Sequence, residues 1–132
     1  PQMFLTVDVA DSKGVTITRK TVLVKIFTPE LYFYEDNPLR GLSRQALSKF
    51  HTLVGDEMTI RAEPYYMSSN IFDINPHIEW EINGRDVENP SENPQNLTLQ
   101  AGEGSGSFRV GFHIRNLENL LQGAEKEITV SF

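Results

Sequence analysis

Alternation of apolar and polar residues constrains the fold of this chain more than any other feature. In residues 78–82 (IEWEI), three large apolar side chains fall on one face of an extended chain and two carboxylates fall on the other. Residues 108–115 (FRVGFHIR) and 128–132 (ITVSF) repeat this period of two. Helical periodicity is nearly absent. The pattern predicts an all-β protein in which Trp80 points into the core.

Shorter strands complete the predicted sheets. They are expected at residues 31–34, 58–63 and 97–99, and the second of these points Met58, Ile60 and Ala62 inward. Each is short and bounded by turn residues. Several short strands separated by turns predict a two-sheet β-sandwich of about seven strands.

Four connections between these strands can be predicted. Asn83-Gly84 is a strong signal for a tight hairpin turn, because both residues tolerate positive φ. Residues 87–96 are rich in Pro, Asn and Ser and should form a loop. Residues 102–106 (GEGSG) are expected to be a flexible hairpin rather than a phosphate-binding loop, because they join two strands. Residues 116–122 are expected to form one or two helical turns.

The first 28 residues have a different organisation. Two β-rich runs flank Asp11-Ser12-Lys13-Gly14, where glycine supplies the left-handed turn position. Thr28-Pro29-Glu30 then breaks the pattern. We therefore predict a β-hairpin over residues 1–28 and a β-sandwich domain over residues 29–132.

The predicted hairpin has an apolar face too large to remain in water, so it is expected to dock on a sheet edge of this molecule or of a neighbour. That face consists of Leu5, Val7, Val22, Val24 and Ile26.

Composition and charge exclude several classes of partner and site. A length of 132 residues is enough for one ordinary domain. The net charge of −6 is spread along the chain, which argues against a nucleic-acid partner. No apolar run approaches the roughly 20 residues of a membrane span, so direct membrane insertion is not expected. The chain has no cysteine, which rules out disulfides, thiolate metal sites and cysteine nucleophiles.

Two segments of the hairpin resemble a known class of domain. Residues 7–14 (VDVADSKG), followed by residues 21–26 (TVLVKI), resemble the closing hairpin of bacterial immunoglobulin-like and PKD-like repeats. The strand around Trp80 is similar to the core-tryptophan strand of these folds. The chain departs from typical PKD domains in having Asn83-Gly84-Arg85-Asp86 where they carry Gly-Asp-Gly, and from antibody-type domains in having no cysteine pair.

The resemblance implies an immunoglobulin-like β-sandwich preceded by the end of another such repeat, in a secreted or cell-surface bacterial protein. Its partners would be neighbouring repeats of the same polypeptide, and its role that of a non-catalytic structural spacer or presentation module. Two alternatives stay open: an adhesion module that binds a surface glycan or a protein, and an accessory domain of a larger extracellular enzyme.

The residues themselves indicate no catalytic centre and no cofactor. His51, His77 and His113 are scattered, and no nucleophile motif accompanies them. Glu79 and Glu81 share a strand face and are expected to be outward charges. Their predicted ion-pair partners are Arg61 and Arg109 of neighbouring strands.

No metal site is predicted either. Asp8, Asp11 and Asp73 are the residues with the chemistry for calcium, but they lack the spacing of an EF-hand loop.

Aromatic residues form the one feature that suggests a ligand surface. There are two aromatic runs: Tyr32 and Tyr34 flank Phe33 in the first, and the second consists of Tyr65 and Tyr66. Tyrosine rings offer flat faces for stacking on sugars or peptides, and their hydroxyls form hydrogen bonds. Alternation buries part of each run, so core packing is the favoured interpretation, and carbohydrate binding is the alternative, with the four tyrosines as the candidate ligand-binding residues.

Overall fold

The described residues of a computed structural model, 2–88 and 92–132, form β-strands joined by turns and loops. The strands are β1 (Gln2–Ala10), β2 (Thr16–Lys25), β3 (Glu30–Asn37), β4 (Gly41–Ala46), β5 (Phe50–Thr52), β6 (Glu57–Tyr65), β7 (His77–Ile82), β8 (Arg85–Val87), β9 (Asn96–Gln100), β10 (Ser107–Arg115) and β11 (Gly123–Ser131). None of these residues forms a helix long and apolar enough to cross a membrane. The predicted all-β class is confirmed.

The strands form three sheets. β1 and β2 make a two-stranded sheet, β5-β11-β10-β7-β8 make a five-stranded sheet, and β4-β3-β6-β9 make a four-stranded sheet. All neighbouring pairs are antiparallel except β5 and β11. The two larger sheets enclose one core in a sandwich-like arrangement of nine described strands, more than the seven or so expected.

Alternation along the strands produces the core. Trp80 of β7 lies between the ring of Phe33 from the opposite sheet, 5.9 Å away, and that of Phe112 from β10, 4.6 Å away. Trp80 is 2% exposed, and its indole Nε1 donates a hydrogen bond of 2.9 Å to the carbonyl oxygen of Pro94. The predicted inward orientation of Trp80 is therefore confirmed. The inward positions predicted in β6 are buried as well; they are Met58, Ile60 and Ala62.

The hairpin turn at Asn83-Gly84 is confirmed, since both residues have positive φ and join β7 to β8. Residues 89–91 of the predicted 87–96 loop lie outside the described residues. The helical turns expected at residues 116–122 do not form. Instead, Asn116, which is buried, accepts hydrogen bonds at Oδ1 from the backbone N–H groups of Glu118 and Asn119, and its Nδ2 donates to the side-chain Oε1 of Gln122. Side-chain bonds therefore organise this loop.

The glycine-rich segment 102–106 is a crossover between sheets, so its prediction as a hairpin is wrong. It leads from β9 in the four-stranded sheet to β10 in the five-stranded sheet. Gly106 lies against the Phe132 ring, so closely that a Cβ atom at this position would be only 2.7 Å from Phe132 Cζ. The missing side chain lets this ring stack on Phe108, with ring centroids 4.8 Å apart.

The predicted N-terminal hairpin forms, but it stands apart from both larger sheets. Opposite residues of an antiparallel pair share a face, so the pairs Leu5–Val22 and Met3–Val24 lie on the same side. We call this side the apolar hairpin face; it comprises Met3, Leu5, Val7, Val9, Val22 and Val24. All but Val24 are 45–53% exposed. The hairpin therefore does not dock on a sheet edge within the molecule, and docking on a neighbour stays a prediction.

The polypeptide passes from one end of the sandwich to the other. At the end nearest the hairpin, β3 begins at Glu30 opposite Tyr65, and β11 begins at Gly123 opposite Arg115. Lys126 of β11 lies 4.3 Å from the Tyr32 ring centroid, which brings the starts of β3 and β11 together. We call this the hairpin end. β11 then runs the length of the sheet and finishes at Ser131, opposite the start of β10.

Candidate functional site

The four candidate tyrosines come together on the outer face of the four-stranded sheet at the hairpin end. Leu31 and Phe33 are buried, so the alternation of β3 turns Tyr32 and Tyr34 outward. Tyr65 ends the neighbouring strand β6, and Tyr66 follows it. We call Tyr32, Tyr34, Tyr65 and Tyr66 the tyrosine surface.

Hydrogen bonds within the cluster engage three of the hydroxyls. Tyr32 Oη donates to Glu30 Oε2 over 2.8 Å, and the hydroxyls of Tyr34 and Tyr65 are 3.0 Å apart. The bond to Tyr65 raises the pKa of Tyr34 to about 12. The bond to Glu30, together with the charge of that carboxylate, raises the pKa of Tyr32 as well. Both hydroxyls therefore stay neutral near pH 7 and are suited to hydrogen bonding rather than to proton transfer.

Part of the ring surface is covered by other side chains. The Lys126 ammonium lies over Tyr32, which also meets the edge of Tyr65 at 5.5 Å. Tyr66 stacks on Phe27, with centroids 4.8 Å apart and planes 11° apart. Tyr65 is 43% exposed and Tyr66 is 55% exposed. These two rings are the part of the tyrosine surface that a ligand could contact.

The Phe27–Tyr66 stack also joins the hairpin to the sandwich. Phe27 follows β2 and precedes Thr28-Pro29, where the sequence predicted a boundary. Tyr66 has a φ of 59°, a left-handed conformation that is uncommon for a residue with a bulky side chain. The stack is thus a side-chain contact made across the predicted boundary.

A second polar cluster occupies the outer face of the five-stranded sheet. His113 lies between Glu81 Oε1 at 3.5 Å and Glu125 Oε2 at 3.2 Å, and His77 Nε2 is 2.9 Å from Glu79 Oε1. The outward orientation predicted for both glutamates is confirmed, but their predicted arginine partners are wrong. Glu79 and Glu81 face histidines of their own sheet.

Arg61 lies in the other sheet, where its partner is Glu63, with Nε 2.5 Å from Oε1. A groove of about 570 Å³ beside the histidine cluster is lined by His77, Glu79 and His113 and by Leu120 and Leu121. Its lining includes no serine, threonine or cysteine that could act as a nucleophile.

The carboxylates considered for calcium are engaged elsewhere or lie apart. Asp8 forms a two-pronged ion pair with Arg19, at 2.6 and 2.8 Å, and this bond lowers the pKa of Asp8. Asp11 accepts hydrogen bonds from the backbone of the β1–β2 turn, and Asp73 lies in the loop before β7. Across residues 2–88 and 92–132, no group of three or more His, Asp or Glu side chains could hold a metal ion.

Sequence reasoning missed three residues that contact the tyrosine surface: Glu30, Phe27 and Lys126. Glu30 lies two residues before Tyr32, a spacing that places both side chains on one face of a strand, so it could have been found. Lys126 belongs to the other sheet, and nothing local in the sequence indicates its position over Tyr32.

Comparisons of the chain with protein-family models, with curated proteins and with solved structures found no match.

Proposed function

We propose that residues 29–132 form an immunoglobulin-like or PKD-like module that acts as a non-catalytic structural spacer or presentation unit in a secreted or cell-surface bacterial protein. The observation that carries this proposal is the path of the chain. The chain reaches the sandwich at Glu30 at the hairpin end and leaves it after Ser131 at the opposite end. Nine residues of β11 separate these ends by about 30 Å. A module with this path adds its full length to any polypeptide that contains it.

The hairpin gives independent support for a neighbouring repeat as the partner. Two strands alone bury too little apolar surface to be stable in water, and the apolar hairpin face is about half exposed. Such a face is typical of a sheet that packs on a second sheet. The partner that fits it is the apolar sheet face of an adjacent β-module.

Truncation tests whether the spacer is an autonomous unit. A chain of residues 29–132 contains both larger sheets and the whole core, so it should unfold in one cooperative transition, with a melting temperature within about 5 °C of that of the full chain. The matched control is a peptide of residues 1–28, which should show no cooperative transition. Loss of cooperativity in the 29–132 chain would refute the division into a hairpin and a separate module.

An adhesion module is the second candidate, and the tyrosine surface favours it. Tyr65 and Tyr66 are adjacent, partly exposed rings at the hairpin end, suited to stacking on a sugar or a peptide. The test is binding of the full chain to a glycan array and to a panel of surface proteins. Replacement of both tyrosines by Ala should abolish any binding, whereas Phe50→Ala, at an exposed aromatic residue of the other sheet, should not change it. Binding that survives loss of both tyrosines would refute this candidate.

The third possibility, an accessory domain of an extracellular enzyme, would gain support from a catalytic domain in the same polypeptide.

A further inference from the structure

β1 is an unusual sheet edge for this molecule. Among the described strands, the edges of the two larger sheets are β4, β5, β8 and β9, which have three to six residues each. Such short edge strands are poor templates for pairing with another chain. β1 has nine residues, and only β2 pairs with it. The side of β1 that faces away from β2 is therefore an open edge nine residues long. Among the described strands, only the open edge of β2 is longer.

Charge distinguishes the two edges of the hairpin. β2 carries Arg19, Lys20 and Lys25, and basic residues on an edge strand discourage pairing with a further strand. β1 contains no lysine, arginine or proline. Its one charged residue is Asp8, which is paired with Arg19 of the same hairpin. The β1 edge is therefore the unprotected one.

The sequence of β1 is complementary to itself in the antiparallel direction. If two copies of β1 lie side by side with Thr6 opposite Thr6, then Met3 lies opposite Val9, and Leu5 opposite Val7. Because opposite residues share a face, the apolar hairpin faces of both copies would become one continuous surface. A shift of one residue would place Leu5 opposite Asp8 and would turn the apolar hairpin faces of the two copies to opposite sides of the sheet. The symmetric register also places each Asp8 opposite Phe4, which keeps the two carboxylates apart.

We propose that two copies of this chain associate through β1, paired antiparallel about Thr6, to form a four-stranded sheet with the order β2-β1-β1-β2. The contact is isologous, so the same nine residues serve both partners. It converts a two-stranded ribbon, marginal by itself, into a sheet of four strands. The edge used here is separate from the apolar hairpin face, so this proposal goes beyond the proposed function and does not depend on it.

Single-cysteine variants test the register directly, because the natural chain has no cysteine. Opposite Cα atoms in an antiparallel pair lie about 4.5–5.5 Å apart, a separation that a disulfide can span. Thr6→Cys should therefore give disulfide-linked dimers under mild oxidation. Thr21→Cys is the matched control: Thr21 is the cross-strand partner of Thr6 and is equally polar. The two Thr21 positions would lie three strand spacings, about 14 Å, apart. Equal cross-linking of the two variants, or none in either, would overturn the proposal.

Sedimentation of the full chain provides the second measurement. The unmodified chain should show a monomer–dimer equilibrium in the concentration range of an NMR sample. Thr6→Lys places like charges opposite each other and should weaken dimerisation at least about fivefold, whereas Thr21→Lys adds the same charge on β2 and should leave it nearly unchanged. A strictly monomeric full chain, or a dimer unaffected by Thr6→Lys, would overturn the proposal. Neither result would bear on the autonomy of residues 29–132, which the truncation tests separately.

Discussion

Replacement of Trp80 probes the centre of the sandwich. Its ring contacts Phe33 of the opposite sheet and Phe112 of its own, and its Nε1 satisfies the Pro94 carbonyl. Trp80→Ala removes all three interactions and leaves a cavity, so it should lower the free energy of unfolding by about 3–5 kcal/mol. For a domain of this length that is a fall in melting temperature of roughly 10–20 °C. Trp80→Phe keeps a ring in the core and loses the hydrogen bond, so it should cost about 1–3 kcal/mol.

Urea unfolding followed by far-ultraviolet circular dichroism measures these differences, since the backbone of the β-sheets gives a signal in the variants that lack the tryptophan. Phe50→Ala is the control, because Phe50 is 71% exposed and its loss should change stability by less than about 0.5 kcal/mol. The unmodified chain should also show blue-shifted fluorescence, because its only tryptophan, Trp80, is buried. A water-like emission maximum, or a Trp80→Ala cost no greater than that of Phe50→Ala, would refute the assignment of Trp80 to the core.

Three further measurements follow from the structure. Gly106→Ala would place a methyl group 2.7 Å from Phe132 Cζ and should destabilise the fold by about 1–3 kcal/mol. Gly102→Ala is the control and should be nearly neutral, because the nearest atom of that ring would be 3.8 Å from the added methyl group. Equal effects of the two substitutions would contradict the packing described for Phe132. The folded state raises the pKa of Tyr34 from 10.0 to about 12, so the stability contributed by its neutral hydroxyl is present below pH 10 and lost as the pH rises towards 12. Ultraviolet titration should show a late phenolate step that moves to lower pH in Tyr65→Phe, and an unchanged step would contradict the Tyr34–Tyr65 bond. Thermal unfolding should not respond to a chelator, and a fall of more than about 5 °C would reveal a metal that contributes to stability.

The core was predictable because its strands alternate without interruption. The faces of β6, β7 and β10 follow directly from their sequences, and Trp80 is buried as the pattern requires. β4 and β5 were missed for the opposite reason. β4 pairs irregularly with β3 and is mostly polar, and β5 is three residues held by parallel bonds to the end of β11. For β5, local sequence carries no signal for pairing with a strand at the other end of the chain.

The loops and the tyrosine surface mark a second limit of sequence reasoning. A short polar segment such as residues 116–122 suits a helical turn as well as a loop, and the choice depends on Asn116, whose buried side chain bonds the backbone in place of a helix. Alternation correctly placed Tyr32 and Tyr34 on one face of a strand. The register that brings Tyr65 to Tyr34 and the approach of Lys126 both arise from tertiary structure.

The course of β11 has a mechanical consequence. A pulling force applied between Glu30 and Phe132 would act along β11, perpendicular to its hydrogen bonds with β10. All nine residue pairs of that ladder would bear the load together instead of opening one after another. The module should therefore resist stretching in this direction far better than when β11 is peeled from its end. Force spectroscopy with these two attachment points would reveal a high rupture force, and a low one would show that the load is not carried by β11.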